Sequence, residues 1–247
     1  MPQKNAFKLD WGVHAILRML SNHSFRNVLD IGSGEGEHRR FFEYFGKETF
    51  SVDIVKDADY VGDFIDVEFD RKFEAIWCSH VLEHQRNVGQ FLDKIYDSLE
   101  DDGVLAIIVP NHPRERLISG HLTSWSIPLL CYNLIMAGFD CSSAEIFASY
   151  ELSLIVRKKP AKHSELRNPS AHGADAGHEF DNIANYFPFS ASQGLHIEPN
   201  GMAEINWPNP LEYKLSLAKD KIENLQINSK NLDSLPVTKP KLFLEKV

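Results

Sequence analysis

Up to Lys159, short apolar runs alternate with segments whose apolar positions recur every three or four residues. Val28, Leu29 and Ile31 form a β-branched run that stops at glycines, the pattern of a strand buried on both faces. The next segment, "EGEHRRFFEYFG", carries Phe41, Phe42 and Phe45 at helical spacing and ends on Gly46, a residue suited to close a helix. The alternation then repeats. "TFSVDIV", "KFEAIWCS" and "GVLAIIVP" read as strands, and Val88, Phe91, Leu92, Ile95, Tyr96 and Leu99 mark an amphipathic helix between the last two. Ile127, Leu130, Leu134 and Ile135 share one face of a further helix that ends near Gly138, and "CSSAEIFAS" with "ELSLIVRKK" reads as a closing hairpin. Strands alternating with helices predict an α/β fold, a doubly wound and mostly parallel sheet covered on both faces.

Beyond Lys159 the pattern dissolves. "KPAKHSELRNPSAHGADAGHEFDN" is polar and rich in turn residues, which reads as a long loop or lid over 160–210, and its His163, His172 and His178 lack metal-site spacing. Tyr186, Phe187, Phe189 and Trp207 are too apolar to stay solvated and are expected to dock near the carboxyl edge of the sheet. Leu211, Leu215, Ala218, Ile222 and Leu225 then form a helical stripe, a packing face or the contact of a homo-oligomer, and the last residues read as a tail. The chain is therefore divided into a main domain, 1–159, and a C-terminal extension, 160–247.

Composition narrows the function. At 247 residues, 43% hydrophobic and 25% charged, the chain supports one main core. The formal net charge of -9 argues against nucleic acid as a partner, which usually meets a basic face. Cys78, Cys131 and Cys141 lie far apart, two of them in apolar runs, and read as reduced core residues. With no apolar signal segment in "MPQKNAFKLDWG" and no run long enough to span a bilayer, a cytoplasmic protein is expected.

In folds of this kind ligands bind beyond the carboxyl ends of the strands, where "DIGSGEG" lies, Asp30 to Gly36. A dinucleotide loop, G-x-G-x-x-G, would need a glycine where Glu37 stands, and Glu35 and Glu37 would repel a pyrophosphate. The spacing is G-x-G-x-G after Asp30, and Glu35 and Glu37 instead suit a ligand of cationic character.

That motif resembles the first motif of the class I S-adenosylmethionine-dependent methyltransferase superfamily. Asp53 ending "SVDIV", Asp63 in "YVGDF", "CSHVLEH" and "LEDDGVLAIIVP" follow the family's later motifs in order, over roughly Trp11 to Arg157. The resemblance implies a Rossmann-like, seven-stranded fold, S-adenosyl-L-methionine as cofactor and S-adenosyl-L-homocysteine as product. It implies that Asp53 accepts both ribose hydroxyls, that Asp63 and Phe64 meet the adenine, and that Gly32, Ser33, Gly34, Ile54 and Ser79 complete the cofactor site. For Asp30 two roles stay open, a contact to the cofactor's amino group or orientation of the loop amides. Each acidic residue has a plainer reading too, Asp53 as a helix cap and Asp63 as a turn residue.

Methyl transfer asks chiefly for positioning in a dry site, with a base where the acceptor is a hydroxyl. His80, His84 and His121 are the candidate catalytic residues, with Glu83 and His112 nearby in sequence. For His84 a hydrogen-bonded helix start, for His121 a loop cap and for Trp125 burial in the core are the alternatives. His80, Glu83 and His84 also spell H-x-x-E-H, a metallopeptidase zinc signature, here at a strand end with no third ligand in view. The stretch is similar to the ubiquinone-pathway O-methyltransferases, which carry a glutamate where His80 stands and can bind a divalent metal through this run. With that substitution no metal site is expected, and activity should survive chelation. The segment "GHLTSWSIPLLCYNLIMAGF" resembles small-molecule and sugar methyltransferases, and the aromatic-rich extension those of bacterial surface-saccharide pathways. The expected acceptor is a small molecule or a sugar unit; the competing reading is a cofactor-binding but catalytically silent module that acts through protein partners.

Overall fold

The computed structural model describes residues 7–159, 184–189 and 242–244. Along the chain the described elements are β1 (Phe7–Leu9), α1 (Val13–Asn22), β2 (Asn27–Ile31), α2 (Glu37–Tyr44), β3 (Glu48–Asp53), β4 (Tyr60–Val61), β5 (Phe73–Ser79), α3 (Val88–Ser98), β6 (Leu99–Pro110), α4 (Ile127–Ala137), β7 (Glu145–Ala148), β8 (Glu151–Arg157) and β9 (Leu242–Leu244). Seven strands form one sheet in the order β4-β3-β2-β5-β6-β8-β7, parallel except for β8, which runs against both its neighbours. The seven-stranded, doubly wound sheet expected from the sequence is thus present.

Alternation along each strand sends side chains into two cores, one per face. Val28, Ala75, Trp77, Ala106 and Ile108 meet Ile16 and Met19 of α1 and Phe41 and Phe42 of α2. Leu29, Ile76, Cys78 and Ile107 meet Phe91 and Ile95 of α3 and Leu130 and Leu134 of α4. All three cysteines are free and buried. Gly46 (φ 74) and Gly138 (φ 115) end α2 and α4 in the left-handed conformation that glycine adopts without a Cβ penalty. Among the described residues no helix is long and apolar enough to cross a membrane.

The chain leaves β2 toward β3 on one side and later adds β5 on the other. This reversal opens a crevice beyond the carboxyl ends of β2 and β5, the usual ligand position in such sheets.

Three features differ from the sequence reading. The segment before β2 supplies two elements beyond those expected from the sequence, β1 and α1. The last residues do not read out wholly as a tail, because β9 pairs antiparallel with β1, Phe7 opposite Leu244. Phe187 is buried, with Tyr186 and Phe189 beside it, yet they pack by Tyr132 of α4 and the 3-10 turn Cys141–Ser143. That turn leads into β7, which runs parallel to β6, so it sits by the amino ends of the strands. The aromatics therefore do not dock at the carboxyl edge; the apolar outer surface of α4 draws them to the other end. Trp207, the helix expected from Leu211 onward and His163, His172 and His178 lie outside the described residues.

Candidate functional site

The glycines after β2 do different work. At Gly32 (φ 70) a Cβ would stand 2.3 Å from Val81 Cγ2, so this glycine lets the loop pass over the turn that follows β5. At Gly34 (φ 51) a Cβ would meet nothing within 4 Å. Gly36 (φ 74) starts α2, its carbonyl accepting from the Arg40 amide at 3.0 Å. The Gly34 amide donates to Asp53 Oδ2 at 2.8 Å, and Asp53 Oδ1 accepts from the Val55 amide at 3.1 Å. Asp53 thereby fixes the loop to the end of β3, and each oxygen keeps a lone pair for a further donor. Asp63 closes its own turn, Oδ1 accepting from the Ile65 amide at 3.0 Å.

Between these walls lies a cleft of about 340 Å³. Of the expected residues, Gly32, Asp53, Ile54, Asp63, Phe64, His80 and His84 line it, together with Val81 and Gln85. Ile54 is 78% exposed at its rim, an apolar surface open to a ligand's flat face, while Phe64 is buried against Phe91 and Phe69. Ser33, Gly34, Asp30 and Ser79 do not line it. Ser33 is buried, its carbonyl accepting from the Gly36 amide, and Ser79 Oγ lies 3.4 Å from His80 Nδ1. Asp30 is buried at the end of β2, and Oδ2 meets no donor among the described residues. Burial, and after it the charge of Asp53, push its carboxyl up to about 8, against the pull of the Arg39 backbone and guanidinium.

His80 ends β5 in a left-handed conformation (φ 57), its amide donating to the Ile108 carbonyl at 2.9 Å. Its ring lies 4.3 Å from that of Trp11, and Nε2 is 3.9 Å from Glu151 Oε2. Glu151 in turn takes the Gly12 amide on both oxygens, at 2.9 and 3.1 Å. Trp11, Gly12 and Glu151 had no signal in the sequence, since they join the site only through α1 packing across β8.

The next turn brings the other histidines together. Glu83 is fully buried, and its carbonyl accepts from the amides of Leu122 and Thr123 at 2.7 and 3.1 Å, which ties the loop before α4 to this turn. His84 Nδ1 donates to the Gly120 carbonyl at 2.9 Å, and its ring meets the His121 ring edge-on at 4.8 Å. Burial, with Glu115 adding repulsion, pushes the Glu83 carboxyl up to about 7. His121 itself borders a water-sized recess with Asn111, Glu115 and Trp125, and the indole of Trp125 is buried, as the plainer reading had it. His112 instead stacks on Tyr150 and accepts the Arg114 amide on Nδ1.

A family described as a methyltransferase domain matches residues 8–137. A search of curated proteins found no match. Among solved structures, the complex between the Haloferax volcanii Trm112 methyltransferase activator and a proposed methyltransferase matches with a TM-score of 0.52 at 18% identity, over 62% of this chain and 90% of that one. A proposed methyltransferase from Bacillus halodurans matches with a TM-score of 0.50 at 16% identity, over 59% of this chain and 97% of that one. At these identities the likeness is one of fold.

Proposed function

The chain belongs to the methyltransferase-domain family, a class I S-adenosylmethionine-dependent enzyme, and on that premise we propose that it methylates a small molecule or a sugar unit of the surface-saccharide kind. The observation that supports the site is Asp53 on the cleft wall, holding the amide of Gly34 in the glycine loop. The residues fit the cofactor: a carboxylate with two free lone pairs, an open space at the Gly34 α-carbon, and Ile54 and Phe64 as apolar contacts. S-adenosylmethionine, when bound, supplies an electrophilic methyl carried on a sulfonium.

The protein's own work is then to orient and to take a proton. Asp53 would hold the ribose hydroxyls, Asp63 and Phe64 the adenine, and the loop from Gly32 to Gly34 the methionine part. His80, on the cleft wall, would accept the proton of a hydroxyl acceptor, and the Glu151 carboxylate stands close enough to balance the imidazolium that results. The net charge of -9 supports a small acceptor over nucleic acid. The resemblance of the extension is what ranks sugars among small acceptors.

Turnover to S-adenosylhomocysteine with a panel of nucleotide sugars tests the acceptor class; no turnover with any would remove the sugar reading. Asp53→Ala is expected to weaken S-adenosylhomocysteine binding by about 1.5–3 kcal/mol, the scale of charge-assisted hydrogen bonds to two hydroxyls. A loss of only a few tenths in calorimetry would reduce Asp53 to a loop clamp.

A further inference from the structure

We propose that Glu83, His84 and His121 form a binding site for one divalent transition-metal ion at the lip of the cleft. One donor atom from each residue lies within 4.8 Å of the others, and no other such trio occurs among the described residues. This reverses the expectation, drawn from His80 standing where related enzymes carry a glutamate, that no metal binds here; the H-x-x-E-H spacing does not describe the trio. His80 points to Trp11 and Glu151, and the third donor comes from the loop before α4.

Two details point to a cation rather than to a packing accident. The Glu83 side chain is 1% exposed, and beyond the pull of its own backbone amide neither carboxylate oxygen has a hydrogen-bond partner among the described residues. A buried carboxylate in that condition is costly unless a positive charge or a proton reaches it. Second, His84 spends Nδ1 on the Gly120 carbonyl, which leaves Nε2, 3.9 Å from Glu83 Oε1, as the ring nitrogen turned toward the other two residues. Donation of the far ring nitrogen's proton to a backbone carbonyl is also how metal-bound histidines are usually held.

Two imidazoles and one carboxylate suit zinc, iron(II), cobalt, nickel or manganese, and not calcium or magnesium, which take oxygen ligands. Bond lengths of about 2.0–2.2 Å place ligands of a tetrahedral ion roughly 3.4 Å apart, so the donors must close by about an ångström or somewhat more. The half-exposed His84 has room to supply that movement. Three protein ligands leave coordination positions open, and because His84 lines the cleft they open toward it. Resting on the reading of that cleft as the methyl-transfer site, those positions would take an oxygen of the acceptor.

The test uses the full chain, stripped with a chelator and then titrated with Co²⁺ and with Zn²⁺. The expected result is one equivalent bound, with cobalt visible absorption that zinc displaces. Glu83→Gln and His121→Ala should each weaken the metal by roughly 100-fold, at least the scale of losing a ligand's supporting partner, whereas His80→Ala should leave it unchanged. His121 borders solvent, so its variant keeps the test valid should Glu83→Gln fail to fold. Absence of stoichiometric binding, or binding indifferent to His121→Ala, overturns the proposal. S-adenosylhomocysteine affinity, measured in the same samples without metal, reports separately on the methyltransferase reading.

Discussion

At Gly34 the chain keeps a left-handed residue facing open space, an arrangement with no packing reason inside the protein. Gly34→Val is therefore expected to leave the fold intact while removing S-adenosylhomocysteine binding, since a branched side chain is strained at that φ and would crowd a ligand approaching Asp53, which holds the Gly34 amide. Unchanged affinity in calorimetry, in a folded variant, would move the cofactor elsewhere. Asp30 makes a different kind of prediction. Its carboxyl stays protonated in the folded protein to about 8, while the unfolded chain releases that proton near 3.8. Between those values the folded state binds more protons, so stability falls as pH rises from about 4 to about 8 and levels above it. Asp30→Asn should flatten that fall, seen as a smaller drop in Tm from pH 5 to pH 8 than in the unmodified protein; an identical slope would show that Asp30 is ionised in the fold. The glycine and acidic positions were legible in the sequence because a loop that must approach a ligand closely admits few residue types.

Among the elements, α1 shows where sequence reading stops. Its start is set by Gly12, whose φ is 66 and whose Cβ would come within 2.5 Å of Trp77 Cζ2, and by a carboxylate 139 residues further on. No local pattern announces either. Gly12→Ala should destabilise the protein by about 1–3 kcal/mol, from the left-handed conformation and the crowding of Trp77 together; a urea midpoint unchanged from that of the unmodified protein would mean that α1 can shift off β8 freely. β2, β3, β5 and β6 were readable as apolar runs bounded by turn residues, and α3 and α4 because their buried positions recur every three or four residues. The approach of His121 to Glu83 was not, because it depends on the Glu83 carbonyl receiving two backbone amides from a loop, contacts that carry no residue preference.

For the molecule as a whole, all seven strands of the sheet and every described residue lining the cleft precede Lys159. Truncation there is expected to keep S-adenosylhomocysteine affinity within a few-fold, while the melting temperature drops with the lost burial of Phe187, about 2 kcal/mol for such a side chain. A folded truncation that no longer binds would mean that the extension helps to build the cleft. The pairing of β1 with β9 carries a consequence for biosynthesis. β1 ends at Leu9 and its partner begins at Leu242, so during translation the main sheet can assemble long before the first strand finds its neighbour. A two-stranded ribbon closed over so long an interval is costly to form and marginal alone. It is expected to be the latest part of the fold to appear behind the ribosome, and amide exchange in the finished protein should find it among the earliest to open.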